Sequence, residues 1–146
     1  VKGGTCDLYD VFFVDPYHGY ATGSHHITKV TEDGGNTWKS YYNESFNWGH
    51  SLFFTSPTIG YVLENKFVFK TEDGGKTWQY IYMSGQGRLY GLYFIDENTG
   101  FTVGENGFMA KTTDQGLTWT QVATGTSENL SSISFSDSSN TVYFPL

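Results

Sequence analysis

Thr31-Glu32-Asp33-Gly34-Gly35-Asn36-Thr37-Trp38 returns forty residues later as Thr71-Glu72-Asp73-Gly74-Gly75-Lys76-Thr77-Trp78. Forty-one residues after that comes Thr112-Thr113-Asp114-Gln115-Gly116-Leu117-Thr118-Trp119. Three copies in one register are a repeat, and a step of this size belongs to a four-stranded propeller blade or to a pair of helices. A second block keeps the same step. Phe13, Phe54 and Phe94 are followed six residues on by Gly19-Tyr20, Gly60-Tyr61 and Gly100-Phe101, whereas Phe135 is followed by Thr141-Val142, so the fourth copy lacks the glycine. Two residues before each Phe stand Val11, Leu52, Leu92 and Ile133, the period-two spacing of a strand that opens each unit.

Strands, not helices, fill each unit. In the third copy, residues 89–96, 100–104, 108–112 and 118–123 read as four strands separated by turn residues. No window carries uninterrupted apolar residues at i, i+3, i+4 and i+7, which sets helical repeats aside. The expected fold is all-β, a β-propeller made of blades of four antiparallel strands. One domain over residues 1–146 holds three complete blades (8–48, 49–88 and 89–128) and a partial one (129–146). The partial blade is expected to consist of strands around residues 132–135 and 142–144.

Composition agrees with strands and excludes several functions. Aromatic residues, 18% of the chain, outnumber charged ones, 16%, and recur in short alternating runs such as Leu8, Tyr9, Val11, Phe12 and Phe13. The eighteen glycines are scattered in fixed local contexts and read as turn residues, not as a linker. A net charge of -7, with seven Lys and the single Arg88, excludes nucleic acid as a partner, because phosphate binding needs clustered Lys and Arg. Cys6 is the only cysteine, so no intrachain disulfide forms. No apolar run approaches the ~20 residues of a membrane-spanning helix. The sequence opens at Val1 without a signal-peptide pattern or initiator Met and is read as a mature, trimmed or excised segment.

The eight-residue block resembles the Asp-box, or BNR repeat: Ser or Thr, any residue, Asp, any, Gly, any, Thr, Trp. All three copies match every fixed position. Asp33, Asp73 and Asp114 can accept hydrogen bonds from backbone N–H groups of the hairpin that follows. Gly35, Gly75 and Gly116 allow a positive φ in its turn. Trp38, Trp78 and Trp119 are expected over the hairpin or between blades, each burying on the order of 150 to 250 Å², so that losing one costs stability more than activity. One such aspartate per blade is spread around a ring and cannot converge on a site, which makes the motif structural.

Residues 94–104, Phe-Ile-Asp-Glu-Asn-Thr-Gly-Phe-Thr-Val-Gly, resemble repeats of the photosystem II assembly factor type of propeller and its secreted bacterial relatives, and the likeness covers nearly the whole chain. The resemblance implies a propeller in an extracellular, periplasmic or cell-surface setting. Members of that type present a basic, arginine-bearing surface to a protein partner, a feature missing here, so a partner, if there is one, is expected to differ. Asp-boxes also occur in sialidases, sortilin-type receptors and xyloglucan-cleaving glycosidases, so the motif names a blade and not an activity. A sialidase needs three arginines around its substrate carboxylate and this chain has one. A glycosidase needs two carboxylates ~5 to 9.5 Å apart, for which Asp10, Asp15, Glu64, Asp96 and Glu105 are candidates, although the chain lacks that family's length.

A binding site is expected where the repeats differ. The loops from fourth strand to next first strand, and from second to third, share the face opposite the Asp-boxes. Residues 43–50 bring Trp48 and His50, and residues 84–88 bring Arg88, with Tyr90 on the strand that follows; residues 124–129 are small and polar. The second-to-third loops bring His25 and His26, Glu64, and Glu105. These eight residues are the candidate platform for a carbohydrate or a peptide. Trp48, without a counterpart in the other repeats, is a stacking ring or a plug beneath its loop, and the burial habit of large aromatics favours the plug. His25 and His26, read on one extended strand, point to opposite faces, and with His50 they lack a Cys or carboxylate at ligand spacing, so neither a metal nor a cofactor is expected.

Three and a half blades do not make a ring, which takes roughly four to eight. Either the chain is part of a longer propeller or copies join head to tail, a dimer being the first expectation. The function expected is a non-enzymatic binding or scaffolding module that recognises a protein or glycan on the variable-loop face. The alternatives are a fragment or subunit of a glycoside hydrolase-type propeller and a purely structural self-assembling subunit.

Overall fold

A computed structural model of the chain describes residues 5–85, 87–135 and 142–143. The first sheet orders β1 (Leu8–Phe13), β2 (Gly19–Gly23), β3 (Ile27–Thr31) and β4 (Lys39–Tyr42) in sequence. The second repeats this with β5 (Ser51–Phe54), β6 (Gly60–Glu64), β7 (Phe67–Thr71) and β8 (Gln79–Met83). The third does so with β9 (Leu89–Phe94), β10 (Gly100–Gly104), β11 (Met109–Thr112) and β12 (Thr120–Gln121). Every pairing is antiparallel, and a last hairpin joins β13 (Ser134–Phe135) to β14 (Val142–Tyr143). The architecture is three propeller blades followed by a two-stranded piece. Thr141, which the repeat alignment drew on, and Phe144, the end of the last expected strand, lie outside the described residues.

Two strands are shorter than the sequence pattern suggests, and in both cases a side chain takes over the backbone. Asp96 Oδ1 accepts the N–H groups of Asn98 and Thr99 at 2.8 and 2.7 Å, closing a turn that ends β9 at Phe94. Asp114 Oδ1 accepts the Thr118 N–H, which keeps Thr118 in the Asp-box and delays β12 to Thr120.

The Phe–Gly block explains how blades adhere. Phe54 pairs with Gly60 across β5 and β6, and a Cβ on Gly60 would stand 2.5 Å from the Phe54 ring, so the ring lies where a side chain would be. Tyr20 of the first blade then stacks on Phe54 of the second, with centroids 3.5 Å apart and planes within 7°. The Tyr20 hydroxyl donates to Pro57 O at 2.6 Å. Tyr61 repeats the arrangement on Phe94, at 4.1 Å, and donates to Gln115 O. In the third copy Phe101 has no hydroxyl to give and meets Phe135 edge-tilted at 5.1 Å. The core accordingly lies between blades. One cluster holds Tyr20, Phe46, Phe54 and Trp78, a second holds Tyr61, Leu89, Phe94 and Phe108, and a third, between the last blade and the hairpin, holds Val103, Met109, Leu130 and Ile133.

Candidate functional site

Two loop systems occupy opposite faces. On one, the Asp-boxes tie to the first-to-second strand hairpins through Gly34 N–H to Tyr17 O, Gly74 N–H to Thr58 O and Gln115 N–H to Asn98 O. Within each box the Asp is saturated. Asp33 Oδ1 accepts the Thr37 N–H at 2.8 Å and the Thr31 hydroxyl at 2.7 Å, while Oδ2 takes the Thr37 hydroxyl at 2.6 Å. Asp73 and Asp114 do the same with Thr77 and Thr71, and with Thr118 and Thr112. Gly35, Gly75 and Gly116 sit at φ of 91°, 81° and 83°, and the indole N–H of Trp38, Trp78 and Trp119 donates to the carbonyl of that glycine.

The other face carries the variable loops, joined by His26 N–H to Asn47 O, Leu89 N–H to Asn65 O and Leu130 N–H to Gly104 O. Here a groove of about 490 Å³ opens between β1, the loop that leads into β5, the turn from β6 to β7 and the loop that leads into β9, and it gathers Trp48, His50, Glu64 and Arg88. Tyr9 and Phe67 add apolar walls, Asn47 and Asn65 add side-chain amides. The other four candidates lie elsewhere: His25 and His26 on the first blade's turn, Tyr90 and Glu105 on the third blade.

Trp48 is 57% exposed, so it is not the plug of its loop. Phe46, two residues earlier and 2% exposed, fills that role, packing against Phe69 and Trp78 at centroid distances of 5.6 and 5.7 Å. Only one of two rings on a short loop can go under it, and the space that selects Phe46 is made by the neighbouring blade, which sequence spacing does not reveal.

Glu64 and Glu105 hold the loops that frame the groove. Glu64 Oε1 accepts the N–H groups of Asn47 and Trp48 at 3.1 and 2.9 Å. Glu105 accepts the Arg88 N–H at 3.0 Å and the Tyr90 hydroxyl at 3.1 Å, contacts that keep its carboxyl below the usual carboxylate range. Ser24 occupies the matching place in the first blade, where its Oγ accepts the Asp7 N–H. Arg88 is exposed, and its guanidinium can offer two parallel donors to a carboxylate. His50 is the groove's buried polar group: its Nε2 has no hydrogen-bond partner among the described residues. Burial first, then the nearby Arg88, push its pKa down, so the ring is neutral near pH 7 and offers one hydrogen bond.

The adjacent histidines do not lie on an extended strand. His25 and His26 both adopt a left-handed φ of 62°, the positions that Asn106 and Gly107 fill in the third blade. His25 Nδ1 meets Ser24 Oγ at 2.8 Å and the His26 ring packs 5.2 Å from Tyr42. Among the described residues no group of three or more His, Cys, Asp or Glu is placed to hold a metal ion.

The carboxylates a glycosidase would require are occupied with backbone. Asp15 caps its hairpin through the N–H groups of Tyr17 and His18 at 2.7 and 2.8 Å, and also meets His18 Nδ1 at 2.7 Å. Asp96 caps the equivalent hairpin of the third blade. Asp10, whose pKa burial raises, reaches across to the second blade and accepts the Leu52 N–H at 2.8 Å. That bridge between innermost strands has no sequence signal, since the matching residues are Ser51 and Gly91. A larger cleft of about 640 Å³ borders the first blade, but its apolar lining is the uncovered side of one sheet and not a convergence of variable loops.

Comparison with known proteins bears on both fold and family. The family model described as photosynthesis system II assembly factor YCF48 matches residues 4–86 and 47–124. No curated protein matches the sequence. Among solved structures, YCF48 bound to a D1 peptide is similar over 82% of this chain and 41% of its own, with 22% identity and a TM-score of 0.71. YCF48 from Cyanidioschyzon merolae is similar over 78% and 39%, with 24% identity and a TM-score of 0.66. An ancestral GH74 enzyme is similar over 94% and 21%, with 16% identity and a TM-score of 0.76. At these identities the likeness concerns the propeller fold. The chain spans about two-fifths of the two YCF48 structures and a fifth of the GH74 enzyme. Among the described residues no helix is long and apolar enough to cross a membrane.

Proposed function

This chain belongs to the photosynthesis system II assembly factor YCF48 family, and from that premise we propose that it is a non-enzymatic protein-binding propeller, which takes a peptide segment of its partner in the groove of Trp48, His50 and Arg88. The observation that carries the reading is that exposed Trp48 and exposed Arg88 line one groove, whose own carboxylate, Glu64, is already committed to backbone N–H groups. Trp and Arg are among the residue types enriched in protein-binding hot spots. The Asn47 and Asn65 amides would serve a peptide backbone, which needs donors and acceptors at short intervals. A peptide ligand also agrees with the D1 peptide bound to a YCF48 of the same fold. The single Arg88 makes the groove less basic than a cluster of arginines would, so apolar contact on Trp48 carries more of the affinity.

The test is fluorescence anisotropy of a labelled D1 peptide titrated with this chain, its Trp48→Ala variant and its Arg88→Ala variant. Saturable binding that weakens about tenfold or more in Trp48→Ala, with an unchanged melting temperature, is the expected result. Binding that ignores both substitutions would refute the groove. Turnover of a β-glucan panel by the wild-type chain would refute the non-enzymatic reading.

A further inference from the structure

Trp48 and Arg88 occupy one place in the repeat: each stands six residues before the phenylalanine that closes the first strand of its blade, Phe54 and Phe94, and Asp7 holds that place before Phe13. In all three blades the backbone N–H at this place donates to a side chain at the end of the second strand. Ser24 Oγ takes that of Asp7 at 3.0 Å, Glu64 Oε1 that of Trp48 at 2.9 Å and Glu105 Oε2 that of Arg88 at 3.0 Å. The first clamp is a neutral hydroxyl. The two that serve groove side chains are carboxylates, whose hydrogen bonds are roughly twice as strong as those between neutral groups. The clamp grips backbone only, so the side chain at this place varies from blade to blade while its setting does not.

Arg88 depends on its clamp more than Trp48 does. The loop of Trp48 is also anchored by the buried ring of Phe46, whereas Arg88 follows Ser84-Gly85-Gln86-Gly87, a stretch without an apolar side chain. A Cβ added to Gly85 would meet nothing within 4 Å, and two glycines in four residues raise the entropy lost when the loop is ordered. Glu105 supplies two restraints at once, because its carboxylate accepts the Arg88 N–H and its own N–H donates to Arg88 O at 2.9 Å. The next N–H, that of Leu89, donates to Asn65 O of the second blade at 2.8 Å. Gly87 has a φ of 114°, and a Cβ there would run into Glu105 Oε2, so the glycine makes room for the carboxylate. Tyr90 stands four residues before Phe94, as Tyr9 and His50 stand before Phe13 and Phe54. Those two line the groove, but Tyr90 donates its hydroxyl to Glu105 Oε1 at 3.1 Å, which turns the other oxygen toward Arg88.

We propose that Glu105, oriented by Tyr90, is a positioning residue of the groove: without touching the ligand, it sets affinity by holding the backbone of Arg88, so that binding does not have to order a glycine-bearing loop. The inference rests on the peptide-groove reading, and it gives two residues outside the groove a part in what the groove binds.

Anisotropy titration of the labelled D1 peptide with the 146-residue chain and its variants tests it. Glu105→Ala is expected to weaken binding about fivefold. Glu105→Gln keeps an oxygen for the Arg88 N–H and gains an amide that can donate to the Tyr90 oxygen, and is expected to stay within about twofold of wild type. An effect of charge alone would be shared by both variants, since each removes the carboxylate. In an Arg88→Ala background Glu105→Ala is expected to change affinity by less than about twofold, because the side chain it positions is gone. Tyr90→Phe removes only the hydroxyl, is expected to weaken binding in the same direction, and stands in should Glu105→Ala fail to fold. Weaker binding in Arg88→Ala with none in Glu105→Ala or Tyr90→Phe would overturn the inference and leave the groove standing, as would binding that depends on Trp48 but not on Arg88. Equal losses in Glu105→Gln and Glu105→Ala, or a loss that persists in the Arg88→Ala background, would also overturn it. A wild-type chain that does not bind the peptide would overturn the groove reading itself, and this inference with it.

Discussion

The Asp-box aspartates show how one residue type can be repeated three times without making a site. Each spends its oxygens on two threonine hydroxyls and a backbone N–H, so nothing is left to hold a ligand. The hydroxyl and N–H of Thr37, and those of Thr118, pull Asp33 and Asp114 from 3.8 to about 2. A carboxyl whose folded pKa is depressed stabilises the fold above its unfolded pKa and loses that contribution as pH falls through the folded value. Asp15, Asp96 and Glu105, held by backbone N–H groups, act in the same direction. Asp10 opposes them, because burial raises its pKa and its ionised form costs the folded state. The urea midpoint is therefore expected to be flat above about pH 5 and to fall between about pH 4 and 2. Asp10→Asn, which keeps an acceptor for the Leu52 N–H, removes a group whose raised pKa favours the folded state as pH falls toward about 4, so the variant should lose the part of the wild-type midpoint's rise that lies just above that pH and leave the fall below it unchanged. A midpoint that rose toward pH 2 would contradict this assignment of the carboxylates.

At the level of the strand pair, the glycine opposite each Phe is a packing requirement. Gly60→Ala would drive a methyl group into the Phe54 ring and force it out of its stack with Tyr20, a cost of about 1–3 kcal/mol. Gly85→Ala, where an added Cβ meets nothing within 4 Å, is expected to stay within about 0.5 kcal/mol of wild type. Urea denaturation of both variants checks the contrast, and equal effects would mean that the ring has room to move. The sequence exposed this pairing because Phe and Gly recur at one spacing and their chemistry is local to two adjacent strands. It exposed the Asp-box for the same reason: donor and acceptor lie within four residues of each other. The groove was only half legible. Loop variation picked out Trp48, His50, Glu64 and Arg88, which do converge, but also His25, His26, Tyr90 and Glu105, which do not. The burial of Phe46 in place of Trp48, the loop-holding roles of Glu64 and Glu105 and the reach of Asp10 to Leu52 all depend on a neighbouring segment whose position no local pattern specifies.

Across the whole molecule, stability is carried by seams and not by blades. Each hydrophobic cluster joins residues of two successive units, so a blade is as stable as the neighbours that cover it. Only the second blade has complete blades on both sides, so its middle strands β6 and β7, each with four of five residues buried, pack into two clusters, whereas β2 and β10, at least as fully buried, each belong to a blade with one complete neighbour. The outermost strands β4 and β12 have mostly exposed residues, and β12 is two residues long. Local opening of β4 or β12 exposes little apolar surface, whereas opening β6 or β7 must break both flanking clusters at once. Native-state hydrogen exchange is therefore expected to find the slowest amides in β6 and β7, with protection there approaching the global unfolding free energy, and the fastest strand amides in β4 and β12. Equal protection in all three blades at every concentration would mean that the seams do not set the stability, and that each sheet holds itself together.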